Sequence, residues 1–153
     1  MAFVFRLDRV LGVRRIQEEA AQQRNAEAQE ALRRAREADQ ELRQTLAGAL
    51  EEFDELKRGD RVTPEALYLH SLHLAGMRRK LEASRTRVEE AATAAQKAAE
   101  ELLEAHQARE ALERLREREK AAWDKLQAQK EARQVDEIAV SRHRTREEEN
   151  HGP

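Results

Sequence analysis

The chain has 153 residues, of which 39% are charged and only 3% aromatic, with a mean hydropathy of -0.96. Alanine and leucine dominate its apolar share, and 29 basic and 31 acidic residues are interspersed to a net charge of -2. These values exclude a β-rich fold, a bilayer-spanning run and a dedicated polyanion binder, and they favour long helices built from good helix formers.

The N-terminal stretch MAFVFRLDRVL carries charges inside its apolar run and no cleavage signature, so it does not read as a signal peptide. Phe3, Val4 and Phe5 cannot all face one partner helix. From Leu7 an apolar stripe advances in steps of three and four through Leu11, Ala21, Ala28, Leu32, Ala35, Leu42, Leu46, Ala49, Phe53 and Leu56. Arg14, Glu18, Asn25 and Asp39 interrupt it. This heptad seam predicts a first helix over about 4–58. Lys57, Arg58 and Gly59 form a helix C-terminal signal, and 59–63 is the expected turn. Thr63, Pro64 and Glu65 then supply an N-cap, a proline at the first helical position and an early acid.

The second helix is expected over about 64–142. Its stripe runs through Leu67, Leu74, Met77, Leu81, Val88, Ala91, Ala95, Ala98, Leu102 and Ala105, then slips in phase near 105–112 before Leu115, Ala122, Leu126 and Val140. Residues 143–153 lack apolar content and are expected to be a disordered tail. The predicted fold is therefore all-α: two long helices in one antiparallel coiled-coil hairpin over 1–142, the second overhanging the first. A turn centred between Asp60 and Arg61 would set residue i beside roughly 121 minus i. Leu46 would then sit near Ala75 and Leu7 near Arg114. Residues ~117–140 would lack an intramolecular partner over about 35 Å, although they carry Trp123, Leu126, Val135, Ile138 and Val140.

No phosphate loop, nucleophile elbow or HExxH pattern occurs, so no catalytic residue is assigned. His70 and His73 are spaced for a metal but lack further ligands of matching spacing; no metal and no cofactor is expected. Absent cysteines fit a reducing compartment, and the protein is expected to be cytoplasmic. Off the seam near the turn lie Leu50, Tyr68, Leu69 and Leu72, which either thicken the core or form a recognition patch. Gly48 and Gly76 fall at nearly one level, through a close backbone approach, a bend or tolerated accident.

Two end motifs carry a family resemblance. FVFRLDRVLGVRRIQEEAA (3–21) and RQVDEIAVSR (133–142) resemble the N- and C-terminal signatures of the flagellar export protein FliJ family, and length and the single turn also match. The resemblance implies a non-enzymatic coiled-coil stalk of the flagellar type III export machine. Its implied partners are the export ATPase and its regulator, the cytoplasmic domain of the export-gate membrane protein, and export chaperones. It implies no nucleic acid and no membrane insertion, only peripheral association with the inner-membrane export apparatus. Carried onto this chain, ATPase-ring binding falls to Phe5, Leu7, Val10, Leu11, Trp123, Asp136, Glu137, Ile138 and Arg142. Gate binding falls to Leu46, Leu50, Tyr68 and Leu72, in a region poorer in aromatics than the family tends to be. Two alternatives stay open: a generic cytoplasmic scaffold that dimerises through its overhang, and the equivalent stalk of a virulence type III system.

Overall fold

The structure, a computed structural model, describes residues 2–152; Met1 and Pro153, the outermost residues of the expected hairpin and tail, lie outside the described residues. Helix α1 spans Asp8–Arg58 and α2 spans Pro64–Asn150, with no strand among the described residues. The two pack against each other as a helical hairpin.

Helix α1 starts at Asp8 and not near residue 4. The Phe5 carbonyl accepts the Asp8 N–H at 3.2 Å, and the Leu7 carbonyl accepts the Leu11 N–H at 2.9 Å. The Asp8 carboxylate sits at the positive end of the helix dipole, and Lys57 and Arg58 at the negative end. Residues 3–5 stay outside the helix, which lets the Phe5 ring turn inward to 5% exposure. At the turn, the Gly59 N–H reaches the Leu56 carbonyl at 3.3 Å, and no described residue has a positive φ. Gly59 therefore ends α1 without the left-handed cap that glycine often supplies. Thr63 Oγ1 accepts the Ala66 N–H at 3.2 Å and caps α2.

At its far end α2 runs to Asn150, past the expected limit at Arg142. Arg and Glu retain helix propensity without a buried face. Local pairs assist: Thr145 Oγ1 donates to the Ser141 carbonyl at 2.9 Å, and His143 Nδ1 lies 3.4 Å from Glu147 Oε1.

The chain divides into two units, Gln17–His106 (the turn unit) and the residues up to Ile16 with those from Gln107 onward (the end unit). On α2 the boundary falls inside the stretch where the heptad slips.

Within the turn unit, Phe53 faces His70 with centroids 6.3 Å apart, Arg24 Nε lies 3.8 Å from Glu101 Oε2, and Glu18 Oε1 lies 2.9 Å from His106 Nδ1. These pairs sum to 123, 125 and 124, so residue i lies beside roughly 124 minus i and not 121 minus i. The connection is centred on Arg61, midway between Arg58 and Pro64, and the stagger of knobs into holes supplies the remainder. Buried seam residues are Ala21, Leu32, Leu74, Met77, Leu81, Ala95 and Ala98. Glu18, Asp39 and Ser84 are buried among them. Asn25 Oδ1 and Asp39 Oδ1 are buried with no hydrogen-bond partner in the protein. The polar positions thus lie on the seam, where they cost stability and discriminate against slipped registers. On the outer face Arg33 hydrogen-bonds Glu30 and, with Arg34, holds its carboxyl down to about 2.

Gly48 and Gly76 do not mark a close approach: a Cβ at either would meet nothing within 4 Å. Gly48→Ala and Gly76→Ala should each raise stability by about 0.5–1 kcal/mol, since both lie inside helices. Thermal melts followed by circular dichroism check this; a lowered midpoint would mean that the open space is filled in solution.

In the end unit Leu11 is fully shielded and Phe5 is also buried. The Phe3 and Trp123 rings meet at a tilt of 55°, with centroids 6.2 Å apart. Arg15 Nη2 reaches Glu113 Oε1 at 3.2 Å, and Arg109 also pairs with Glu113. The N-terminal arm thereby carries pairing to Trp123, beyond the limit near residue 117 that the sequence suggests. Unpaired helix begins at Asp124 and continues to Asn150, roughly 40 Å at about 1.5 Å per residue.

Candidate functional site

Among the described residues no group of three or more His, Asp or Glu could hold a metal ion. His70 and His73 line a shallow dip with Leu69, and the His70 ring is turned toward Phe53. What the molecule offers a partner is therefore surface.

The end unit exposes one set of aliphatic residues. Val10, Val13 and Ile16 follow one another at steps of three along α1, with Ile16 67% exposed. Leu126, Val135, Ile138 and Val140 are each more than half exposed on α2. β-branched residues are scarce in this Ala/Leu-rich chain, and leaving them in water gains nothing for folding. Of the residues assigned to ring binding, Val10, Asp136, Glu137, Ile138 and Arg142 are exposed, and Glu137, Ile138 and Arg142 line one open groove with Gln134 and Ser141. Leu7 and Trp123 are half-buried, and Phe5 and Leu11 are buried. A partner can reach Phe5 and Leu11 only if the arm lifts. Seam-based reading missed Val13 and Ile16 because they fall off the seam; their three-residue spacing from Val10 was the available signal.

The turn unit holds the other. Leu46 and Leu50 are half-buried, whereas Tyr68, Leu69 and Leu72 are exposed. Lys57 Nζ caps the neighbouring Phe53 ring at 4.3 Å.

Both surfaces lie within the span of one family model, described as Flagellar FliJ protein, which matches residues 3–148. The chain belongs to the FliJ family. As a FliJ-family protein it is a component of the flagellar export apparatus, and the family is a non-catalytic one. The match covers both end motifs that carry the sequence resemblance and extends well past the helix end expected at Arg142. Comparison with curated proteins and with solved structures gave no match. Among the described residues of this FliJ-family chain, no helix is long and apolar enough to cross a membrane.

Proposed function

We propose that the protein is a stalk of the flagellar export machine that engages the export ATPase ring through its end unit and the cytoplasmic domain of the export gate through its turn unit. The ATPase regulator and export chaperones are further partners. It acts in the cytoplasm, peripherally on the inner-membrane apparatus. The single observation that carries this reading is the set of exposed aliphatic residues in the end unit, Val10, Val13 and Ile16 with Leu126, Val135, Ile138 and Val140. Exposed apolar residues set among charges are the usual composition of a binding surface. The shallow grooves and missing ligand clusters fit partner binding better than chemistry.

A pull-down with the purified export ATPase, quantified by titration, tests it. Ile16→Asp and Ile138→Asp should each weaken binding by about 30-fold, the usual loss at an interface anchor. Trp123 emission should shift on binding, since its ring is half-buried in this unit against Phe3. No binding by the unaltered chain, with no change in ring assembly or ATP hydrolysis, would sink the assignment.

A further inference from the structure

Within the turn unit, one segment departs from the otherwise balanced charge. Residues 78–87 hold Arg78, Arg79, Lys80, Arg85 and Arg87 against a single carboxylate, Glu82. All five cations are exposed, and none forms an ion pair among the described residues. By the 124-minus-i register, the neighbouring part of α1 is residues 37–46. Its Glu37 is taken by Arg33 and its Asp39 by Arg43, which leaves Glu41 as a free carboxylate there. Toward the turn the sign reverses: Glu51, Glu52, Asp54 and Glu55 flank the level of Leu69 and Leu72.

Helical spacing joins the cations to the exposed apolar patch. At about 100° per residue, Tyr68, Leu72 and Arg79 fall in one row, and Leu69, Lys80 and Arg87 in the next. The strip from Leu69 to Arg87 is about 27 Å long, the reach of roughly eight extended residues. It presents apolar contacts at the turn side and unpaired cations beyond.

We propose that this strip of α2 is a docking site for an acidic linear segment of a partner protein. The segment's apolar side chains seat on Tyr68, Leu69 and Leu72, and its carboxylates range along Arg79, Lys80 and Arg87. Charge complementarity sets its direction, because the reversed segment would place its acids against Glu51, Glu52 and Glu55. A duplex or single-stranded nucleic acid would meet carboxylates at both ends of the strip, with Glu89 and Glu90 closing the far one. A flat anionic membrane would reach Arg78 and Arg85 or Lys80 and Arg87, since the two pairs lie on opposite flanks of the helix. The proposal rests on the reading that the turn unit is a partner-binding surface, and adds the chemistry of what binds.

The test uses the full chain with two probes: a fluorescent peptide of two leucines followed by four glutamates, read by anisotropy, and the purified cytoplasmic domain of the export gate. R79E/K80E/R87E should weaken peptide binding about 100-fold at low salt, and the neutral set R79Q/K80Q/R87Q less. K97E, ten residues beyond Arg87, should change nothing, and unaltered circular dichroism shows that the variants fold. Raising salt from about 50 to 300 mM should weaken the peptide about tenfold. Peptide affinity unmoved by the triple reversal overturns the site, as does tighter binding of phosphatidylglycerol vesicles or single-stranded DNA. Binding of the gate domain equally to the unaltered chain and to R79E/K80E/R87E overturns the site and leaves the gate assignment intact. A gate domain that fails to bind while the peptide binds with the expected losses removes the gate assignment and supports the site.

Discussion

Leu11→Ala is expected to cost about 3 kcal/mol and to unfold the end unit selectively. Leu11 is fully shielded, and α1 contributes to its unit only from Asp8 to Ile16 together with the N-terminal arm. Removing three carbons there loses transfer free energy and leaves a void that a two-helix layer closes only in part. Phe5 is then the one buried apolar residue left to that unit among the described residues. Hydrogen exchange should report loss of protection in residues 2–16 and 107–123 while 64–106 stays protected. Loss of protection throughout would mean that the end unit supports the whole molecule. Leu103→Ala, at a residue 55% exposed, is the matching control and should shift stability by about 0.5 kcal/mol or less.

A second core substitution should act in the opposite sense. Asp39 is 8% exposed, pairs through Oδ2 with Arg43 Nε at 2.6 Å, and leaves Oδ1 buried without a partner. Arg43 itself is half exposed, so water screens the pair and the desolvated carboxylate is poorly compensated. Asp39→Leu replaces it with apolar surface at a seam position and should add about 1–3 kcal/mol. Arg43 returns to solvent at little cost. Urea denaturation followed at 222 nm measures the difference. A net loss would indicate that the Asp39 carboxylate excludes a competing register by more than it costs the native one.

These two positions also mark how far the sequence could be read. Leu11 is a heptad residue and buried, as its spacing predicts. Asp39 and Glu18 look like breaks in the stripe because periodicity weighs apolarity alone, yet both sit on the seam. A carboxylate can occupy a seam position when a hydrogen-bonding neighbour lies one turn away, as Arg43 does for Asp39, or across the pair, as His106 does for Glu18. The register was legible to within a few residues, limited by where the turn pivots. The N-terminal arm was not legible, because an extended segment of five or six residues has no period. Its Phe3 meets Trp123, a residue more than a hundred positions away. At the other end, 143–150 lacks apolar residues yet stays helical through propensity and local pairs. Of the candidate sites, the off-seam positions of Tyr68 and Leu72 left core and surface both open, and the structure exposes the two. The buried state of Phe5 was not legible.

The sequence distance spanned by each cross-helix contact has a consequence for how the molecule assembles. Phe53 and His70 meet across 17 positions (70 minus 53), whereas Arg15 and Glu113 meet across 98. Closing the longer loop from an open chain costs roughly 1.5 kcal/mol more by the logarithmic law, and a surface ion pair repays less than that. Contacts beside the turn can form alone; those of the end unit become affordable only after the intervening seam has zipped. Folding therefore runs from Gly59 outward, and unfolding begins at Phe3 and Trp123. A partner that reaches for the buried Phe5 or Leu11 meets the last part of the chain to close and the first to open, so its on-rate will track the opening frequency of that end.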